Sequence, residues 1–179
     1  MITPQNVVEA RFKIAVEGNL VETVNANATA DWPSDLMLAI GSRETGFLWE
    51  QHWNRQHDWA ILGDSNHGHG VWQIDDRSHA DFTSTNAWKD PARCCLKAIE
   101  ILNQTRAVLT KDPDYQALNA DTQLKAVIAA YNCGPGNEEK ALRRHLDPDA
   151  FDFGHNYAED VLEQRPIFAE LLNAPQEKV

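Results

Sequence analysis

The chain has 179 residues, 42% hydrophobic and 24% charged, enough for one domain with a sizeable core and with no apolar run long enough to span a bilayer. Sixteen Lys and Arg against 27 Asp and Glu give a formal net charge of −11. That balance repels nucleic acid and anionic membranes, and no Lys/Arg cluster offsets it, so neither a nucleic-acid partner nor membrane insertion is expected. The amino terminus has no basic stretch followed by an apolar one and does not read as a signal peptide. An intracellular protein, one exported or released by another route, and a trimmed secreted protein all remain compatible with it.

The pattern is helical along most of the chain. Val8, Phe12, Ala15 and Val16 recur at helical spacing and predict a first helix. A second fits Pro33 to about Glu44, with Pro33 in the first turn, Asp35 at the positive end and Gly46 as the stop. Between Gly46 and Asp90 the helical period is lost, and residues 47–82 within it hold four of the six Trp and five of the seven His. Within it, Val71-Trp72-Gln73-Ile74-Asp75 alternates as a short strand does. Asp90-Pro91 opens a third helix, whose apolar stripe is Cys95, Ile99, Leu102, Val108 and Leu109. Asp121 is the expected cap of a fourth, with Leu124, Val127, Ile128 and Tyr131 on one face and Gly134-Pro135-Gly136 as its stop. A last helical region covers Asn156 to Leu172, with a break expected near Pro166, and the residues after it read as a loose tail.

Three cysteines, Cys94, Cys95 and Cys133, form neither a disulfide framework nor paired zinc spacing. Buried free thiols are expected, with one bridge to Cys133 as the alternative.

Chemistry concentrates in three stretches. In Ser42-Arg-Glu-Thr-Gly46, Glu44 sits among Leu38, Ala39, Ile40, Phe47 and Trp49. Desolvation by such neighbours suits a carboxyl to donate a proton, although the residues alone favour a solvated helix-end charge. In Gly63-Asp-Ser-Asn-His-Gly-His-Gly70, three glycines mark a tight loop that carries Asp64, and Asp75-Asp76 follow. An acid facing one or two carboxylates is what glycoside hydrolysis needs, the carboxyls standing roughly 6.5–9.5 Å apart in the inverting geometry. The alternative is that Asp64 caps a turn while Asp75 or Asp76 pairs with Arg77. His67 and His69, with Asp64 and His79, raise a metal reading, but no motif such as HExxH supports it. In Ala129-Ala-Tyr-Asn-Cys-Gly-Pro-Gly-Asn137, Tyr131 and Asn132 end an apolar helix, as an aromatic and an amide at a sugar site would, or as a packed Tyr and a cap would.

Together these stretches resemble the goose-type lysozymes, which share their fold with the soluble lytic transglycosylases. SRETG at 42–46, GDSNHGHGVWQIDDRSH at 63–79 and AAYNCGPGN at 129–137 come in the family's order, and His155-Asn-Tyr-Ala-Glu-Asp-Val161 is similar to its late segment. The resemblance covers roughly residues 33 to 170. It implies a mainly α (α+β) lysozyme-like fold: a single helical domain over 1–179 whose small antiparallel sheet, within 46–90, flanks the substrate cleft. It also implies cleavage of the β-1,4 bond between N-acetylmuramic acid and N-acetylglucosamine in peptidoglycan, without a cofactor or a metal. Glu44 matches the general acid, and Asp64 and Asp75 match aspartates that position the attacking water. Gln73, His79, Tyr131, Asn132 and Tyr157 match residues that hold the N-acetylated sugars.

Trp72 stands where relatives often have Met and should repack the wall behind Gln73. The Trp/His-rich stretch 47–62, with its WNRQHDW insertion, is longer than in vertebrate members. Because both aspartates are retained, hydrolysis with inversion is favoured over cleavage that forms a 1,6-anhydro ring. A monomer is expected; a proteinaceous inhibitor is a partner left open, and the site of action is the cell wall, reached by secretion, release on lysis or injection. Two other classes compete: a non-catalytic domain that binds peptidoglycan or chitin, and a metal-dependent hydrolase built on His67, His69 and Asp64.

Overall fold

The computed structural model describes Glu9, Arg11 and residues 20–48, 59–152 and 154–173. The helix expected on Val8, Phe12, Ala15 and Val16, most of the 47–62 insertion and the tail from residue 174 lie outside the described residues. The fold is mainly α with one small antiparallel sheet, and its residues group into two compact units.

The first unit draws on Met1–Ala98 and Glu163–Val179. Helix α1 (Leu20–Asn27) buries Leu20, Val21 and Val24. Helix α2 (Ser34–Thr45) has Asp35 in its first turn and ends on Gly46, whose left-handed φ of 56° lets its N–H reach Ser42 O. Pro33 stands one place earlier than expected, at the cap, where its carbonyl accepts from Leu36 and Met37 N–H. Leu36 to Ile40 are all fully buried, so α2 is the central helix of this unit and not an amphipathic surface one.

The sheet lies where the resemblance put it. Strands β1 (Leu62–Gly63), β2 (Gly68–His69) and β3 (Ile74–Asp75) pair antiparallel in that order, with Gly63 opposite Gly68 and Gly68 opposite Asp75. The strand expected over 71–75 is confined to its last two residues. Val71 and Trp72 are both fully buried, which an alternating half-buried strand does not allow, and Gln73 turns with φ +48°. Helix α3 (Ala80–Thr83) follows the sheet, and Asp90 Oδ1 accepts from Ala92 N–H to open helix α4 (Pro91–Leu109) as expected.

Of the α4 stripe, Cys95, Ile99, Leu102 and Leu109 are buried, but Val108 is 37% exposed, because the run of 108 and 109 cannot place both on one face. All three cysteines are free thiols: Cys94 and Cys95 are buried and Cys133 is half-buried.

The second unit is Ile99–Leu162. Helix α5 (Pro113–Gln116) is capped by Asp112, whose side chain accepts from Asp114 N–H at 2.8 Å. Helix α6 (Ala120–Cys133) buries Ala126 to Ala130, with Leu124 and Tyr131 half-buried. Its cap is Asn119 rather than Asp121: Asn119 has the extended backbone a cap requires and accepts from Thr122 N–H at 2.9 Å, whereas Asp121 is already inside the first turn. Gly134, with φ 83°, ends α6, and Pro135 begins a further helix, α7 (Pro135–Arg143), at the position where a missing N–H costs nothing.

Helix α8 (Tyr157–Asn173) runs unbroken through Pro166, contrary to the expected break. Proline removes one helical hydrogen bond, yet anchors flank it in the first unit. Gln164 Oε1 accepts from the buried Ser42 Oγ at 2.6 Å, Arg165 Nε donates to Asp35 Oδ2 at 2.6 Å, and Phe168 packs edge-on against Phe47 at 6.3 Å. At the other end, in the second unit, Asp149 accepts from Ala158 and Glu159 N–H, and Asp152 from Asn156 and Tyr157 N–H. Two carboxylates thus satisfy the orphan amides of the first turn.

Candidate functional site

Glu44 lies on the last turn of α2 and is half-buried. The helix end that carries it is fixed from several sides. Ser42 Oγ accepts from Arg11 Nη1 at 2.7 Å, and Thr45 Oγ1 donates toward Gly41 O at 3.0 Å and Val71 O at 3.3 Å. Trp72, fully buried, donates its indole N–H to Met37 O at 2.9 Å. A Cβ on Gly41 would stand 3.1 Å from both Phe47 and Val71 and 3.3 Å from Trp72. The 71–72 turn is therefore packed directly on the helix that carries Glu44.

Gln73 holds its side chain over the paired glycines. Its amide donates to Gly70 O at 2.9 Å, and a Cβ at Gly63 or at Gly68 would collide with Gln73 Oε1. These two glycines are needed because a neighbouring amide occupies the space a side chain would take.

Asp64 opens a tight turn in which Asp64, Ser65 and Asn66 have φ of 44°, 57° and 75°. Three successive L-residues in the left-handed region cost roughly 1–2 kcal/mol each, less for Asn, so the turn is held by its surroundings. One such hold is Arg77. Its Nη2 donates to Asp64 Oδ2 at 2.7 Å and to Asp75 Oδ2 at 2.8 Å, while its Nε and backbone N–H donate to Asp75 Oδ1 at 2.9 and 2.8 Å. The structure thus brings Asp64 and Asp75 together, from a turn and a strand thirteen and two residues away, on one guanidinium. The hydrogen bonds from Arg77 hold the Asp75 carboxyl below its ordinary range. Asp75 is therefore an anion that accepts hydrogen bonds and is a weak base.

The expected Asp75–Arg77 ion pair is present, whereas Asp76 turns elsewhere. Asp76 faces His67 Nδ1 at 2.8 Å and His69 Nε2 at 3.3 Å, and these partners lower its pKa. An ionised Asp76 only accepts, so the facing ring nitrogens carry the protons. His69 stands edge-on to Trp88 at 4.9 Å. Both histidines of the HxH pair are thereby directed to Asp76 rather than to Asp64, and among the described residues no group of three His, Cys, Asp or Glu is arranged to hold a metal ion. His79 precedes α3, and its N–H donates to Asp75 O at 2.9 Å, which ties it to the β3 end.

Tyr131, Asn132 and Tyr157 belong to the second unit. Tyr131 is half-buried and Asn132 exposed at the end of α6, beside Gly134. Tyr157 is 3% exposed at the start of α8, so its ring offers no face to solvent.

Sequence reasoning passed over Glu138. This residue of α7 is fully buried, and neither carboxyl oxygen has a hydrogen-bond partner. Burial first, then the charges of Asp149, Asp147 and Asp152, push its pKa up to about 8 against some relief from Lys125. Asp149 and Asp152 share a hydrogen bond; Asp149 is lowered by it and by its backbone donors against burial, and Asp152 is raised to about 7, mostly by burial. Nothing local in the sequence marks Glu138, since its burial depends on which helices meet over it.

No family model matches the chain. Curated proteins do: it is 31% identical to Lysozyme g of Struthio camelus over 109 residues, which are 60% of this chain and 48% of that protein. It is 27% identical over 108 residues to Lysozyme g of Casuarius casuarius, covering 60% of this chain and 53% of that one. Lysozyme G of Dromaius novaehollandiae gives 27% over 108 residues, 60% and 48%. The chain spans about half the length of the curated relatives it matches. The similarity agrees with the resemblance to goose-type lysozymes read from the motifs.

Proposed function

We propose that this protein is a peptidoglycan-cleaving muramidase that hydrolyses the β-1,4 bond between N-acetylmuramic acid and N-acetylglucosamine with inversion. Glu44 is the general acid: it gives its proton to the glycosidic oxygen as the bond to the anomeric carbon breaks. Asp64 and Asp75 hold the water whose oxygen adds to that carbon; Asp75 only accepts a hydrogen bond from it, and the water's proton leaves through the Asp64 carboxylate to solvent. Gln73 and His79 are assigned to holding the N-acetylated sugars, and the resemblance gives Tyr131, Asn132 and Tyr157 of the second unit the same role. The observation that carries this reading is the convergence of Asp64 and Asp75, from separate elements, beside a turn packed on the helix that bears Glu44. Similarity to proteins named Lysozyme g supports the substrate class.

Turbidity loss of a bacterial cell-wall suspension tests it. Wild type should clear the suspension, and Glu44→Gln should lose on the order of several hundredfold or more, the share a general acid supplies. Activity should survive EDTA. If wild type and Glu44→Gln bound the wall equally and cleared nothing, the binding-only reading would replace this one, and loss with EDTA would restore the metal-dependent one.

A further inference from the structure

Spacing alone pairs Arg77 with Asp75 or Asp76, and Arg77 and the two carboxylates it joins all reach solvent: side-chain exposure is 57% for Arg77, 62% for Asp64 and 38% for Asp75. Exposed ion pairs add little to folding stability, so stability gives no account of why they converge. The geometry is more specific than an ion pair. One edge of the guanidinium, Nε and Nη2, grips Asp75 at both oxygens, and the same Nη2 reaches across to Asp64. The Arg77 backbone N–H adds a fourth bond to Asp75, so the clamp is anchored at its own root. Asp64, at the far end, opens the turn of three left-handed residues, a conformation that persists only where surroundings over-determine it.

We propose that Arg77 is a positioning residue that holds Asp64 and Asp75 side by side to receive one water, and so decides whether the broken bond passes to water or to the sugar's own hydroxyl. This rests on the hydrolytic reading above. With the pair clamped, two oxygens that share one donor nitrogen form adjacent acceptors, and a water between them has both its protons engaged while its lone pair is aimed outward. Without the clamp, two carboxylates of like charge move apart. The substrate's 6-hydroxyl oxygen can then add to the anomeric carbon in place of water, closing a 1,6-anhydro ring and returning its proton to the ionised Glu44. Both routes balance: the glycosidic oxygen gains one proton, and the nucleophile loses one.

The test compares the full chain as wild type, Arg77→Lys and Arg77→Ala on purified peptidoglycan, with reducing-end and anhydro products counted by mass spectrometry. Arg77→Ala should lose hydrolytic kcat on the order of a hundredfold with KM little changed, and the anhydro share of its products should rise. Arg77→Lys, which keeps the charge without the fork, should fall between. A carboxyl carbon NMR titration gives a readout independent of turnover: in Arg77→Ala the Asp75 midpoint should move up toward the ordinary carboxylate value. A wild type that hydrolyses while Arg77→Ala keeps its rate and product ratio overturns the role of Arg77 alone, as does an Asp75 midpoint that stays where it was. A wild type yielding only anhydro products overturns the hydrolytic reading and this role with it.

Discussion

Replacing Glu138 by Gln should reverse sign as a stability change between acid and alkaline pH. Glu138 is a carboxyl with no solvent contact and no hydrogen-bond partner, raised from 4.5 to about 8. Such a rise corresponds to roughly 4–5 kcal/mol against the ionised folded state, as an order of magnitude. Below pH 4.5 both folded and unfolded chains carry the proton and the term vanishes. Between 4.5 and about 8 the unfolded chain releases its proton while the folded one keeps it, so stability falls as pH rises. Above about 8 the folded carboxyl ionises too and the loss is complete. Gln keeps the shape and removes this slope, at a cost of about 1–3 kcal/mol for an amide buried without partners. Glu138→Gln should therefore be less stable than wild type near pH 5 and more stable by about 1–4 kcal/mol near pH 8.5, the difference of the two terms. Urea unfolding followed by tryptophan fluorescence at a series of pH values measures both curves, and their difference removes the titrating groups that do not interact with Glu138. Asp149, Asp152 and Lys125 remain in the variant, so a pair of parallel curves would refute the reasoning.

Gly68→Ala should displace Gln73, because the new methyl would occupy the place of its amide; activity should drop more than stability, the latter by about 1–3 kcal/mol in thermal melting. Trp72→Phe should cost about 1–3 kcal/mol in the same assay, from the lost bond to Met37 O and the volume left empty, and an unchanged melting curve would contradict the packing described. Burial pushes the Cys94 and Cys95 thiols up to about 11 and about 12, so a thiol reagent at pH 8 should label neither in the folded protein and both on adding denaturant; fast native labelling would contradict their burial.

Where the sequence could be read, the cause was local. Gly46 ends α2 because only a left-handed residue closes that turn, and Asp90-Pro91 opens α4 through a bond spanning two residues. Where it misled, the competing signals sat side by side. Asn119 and Asp121 are both good caps, and only backbone conformation separates them. Gly134-Pro135 does stop α6, and the same proline opens α7, a helix that the stop signal hid. Pro166 was overruled by Ser42 and Asp35, more than a hundred residues away in the chain. The candidate site divides the same way. Asp75 with Arg77 is a short-range pair, legible from spacing, whereas the capture of Asp64 depends on the β1–β2–β3 register. Glu138 was invisible because burial is a property of the assembled helices.

Cleavage of peptidoglycan by water, driven by Glu44, is decided by mass spectrometry of purified peptidoglycan digested with wild type and with Glu44→Gln. Wild type should release muropeptides with reducing N-acetylmuramic acid ends, and the variant should lose on the order of several hundredfold or more. Equal product from the two proteins, or anhydro-muropeptides alone from wild type, would contradict it.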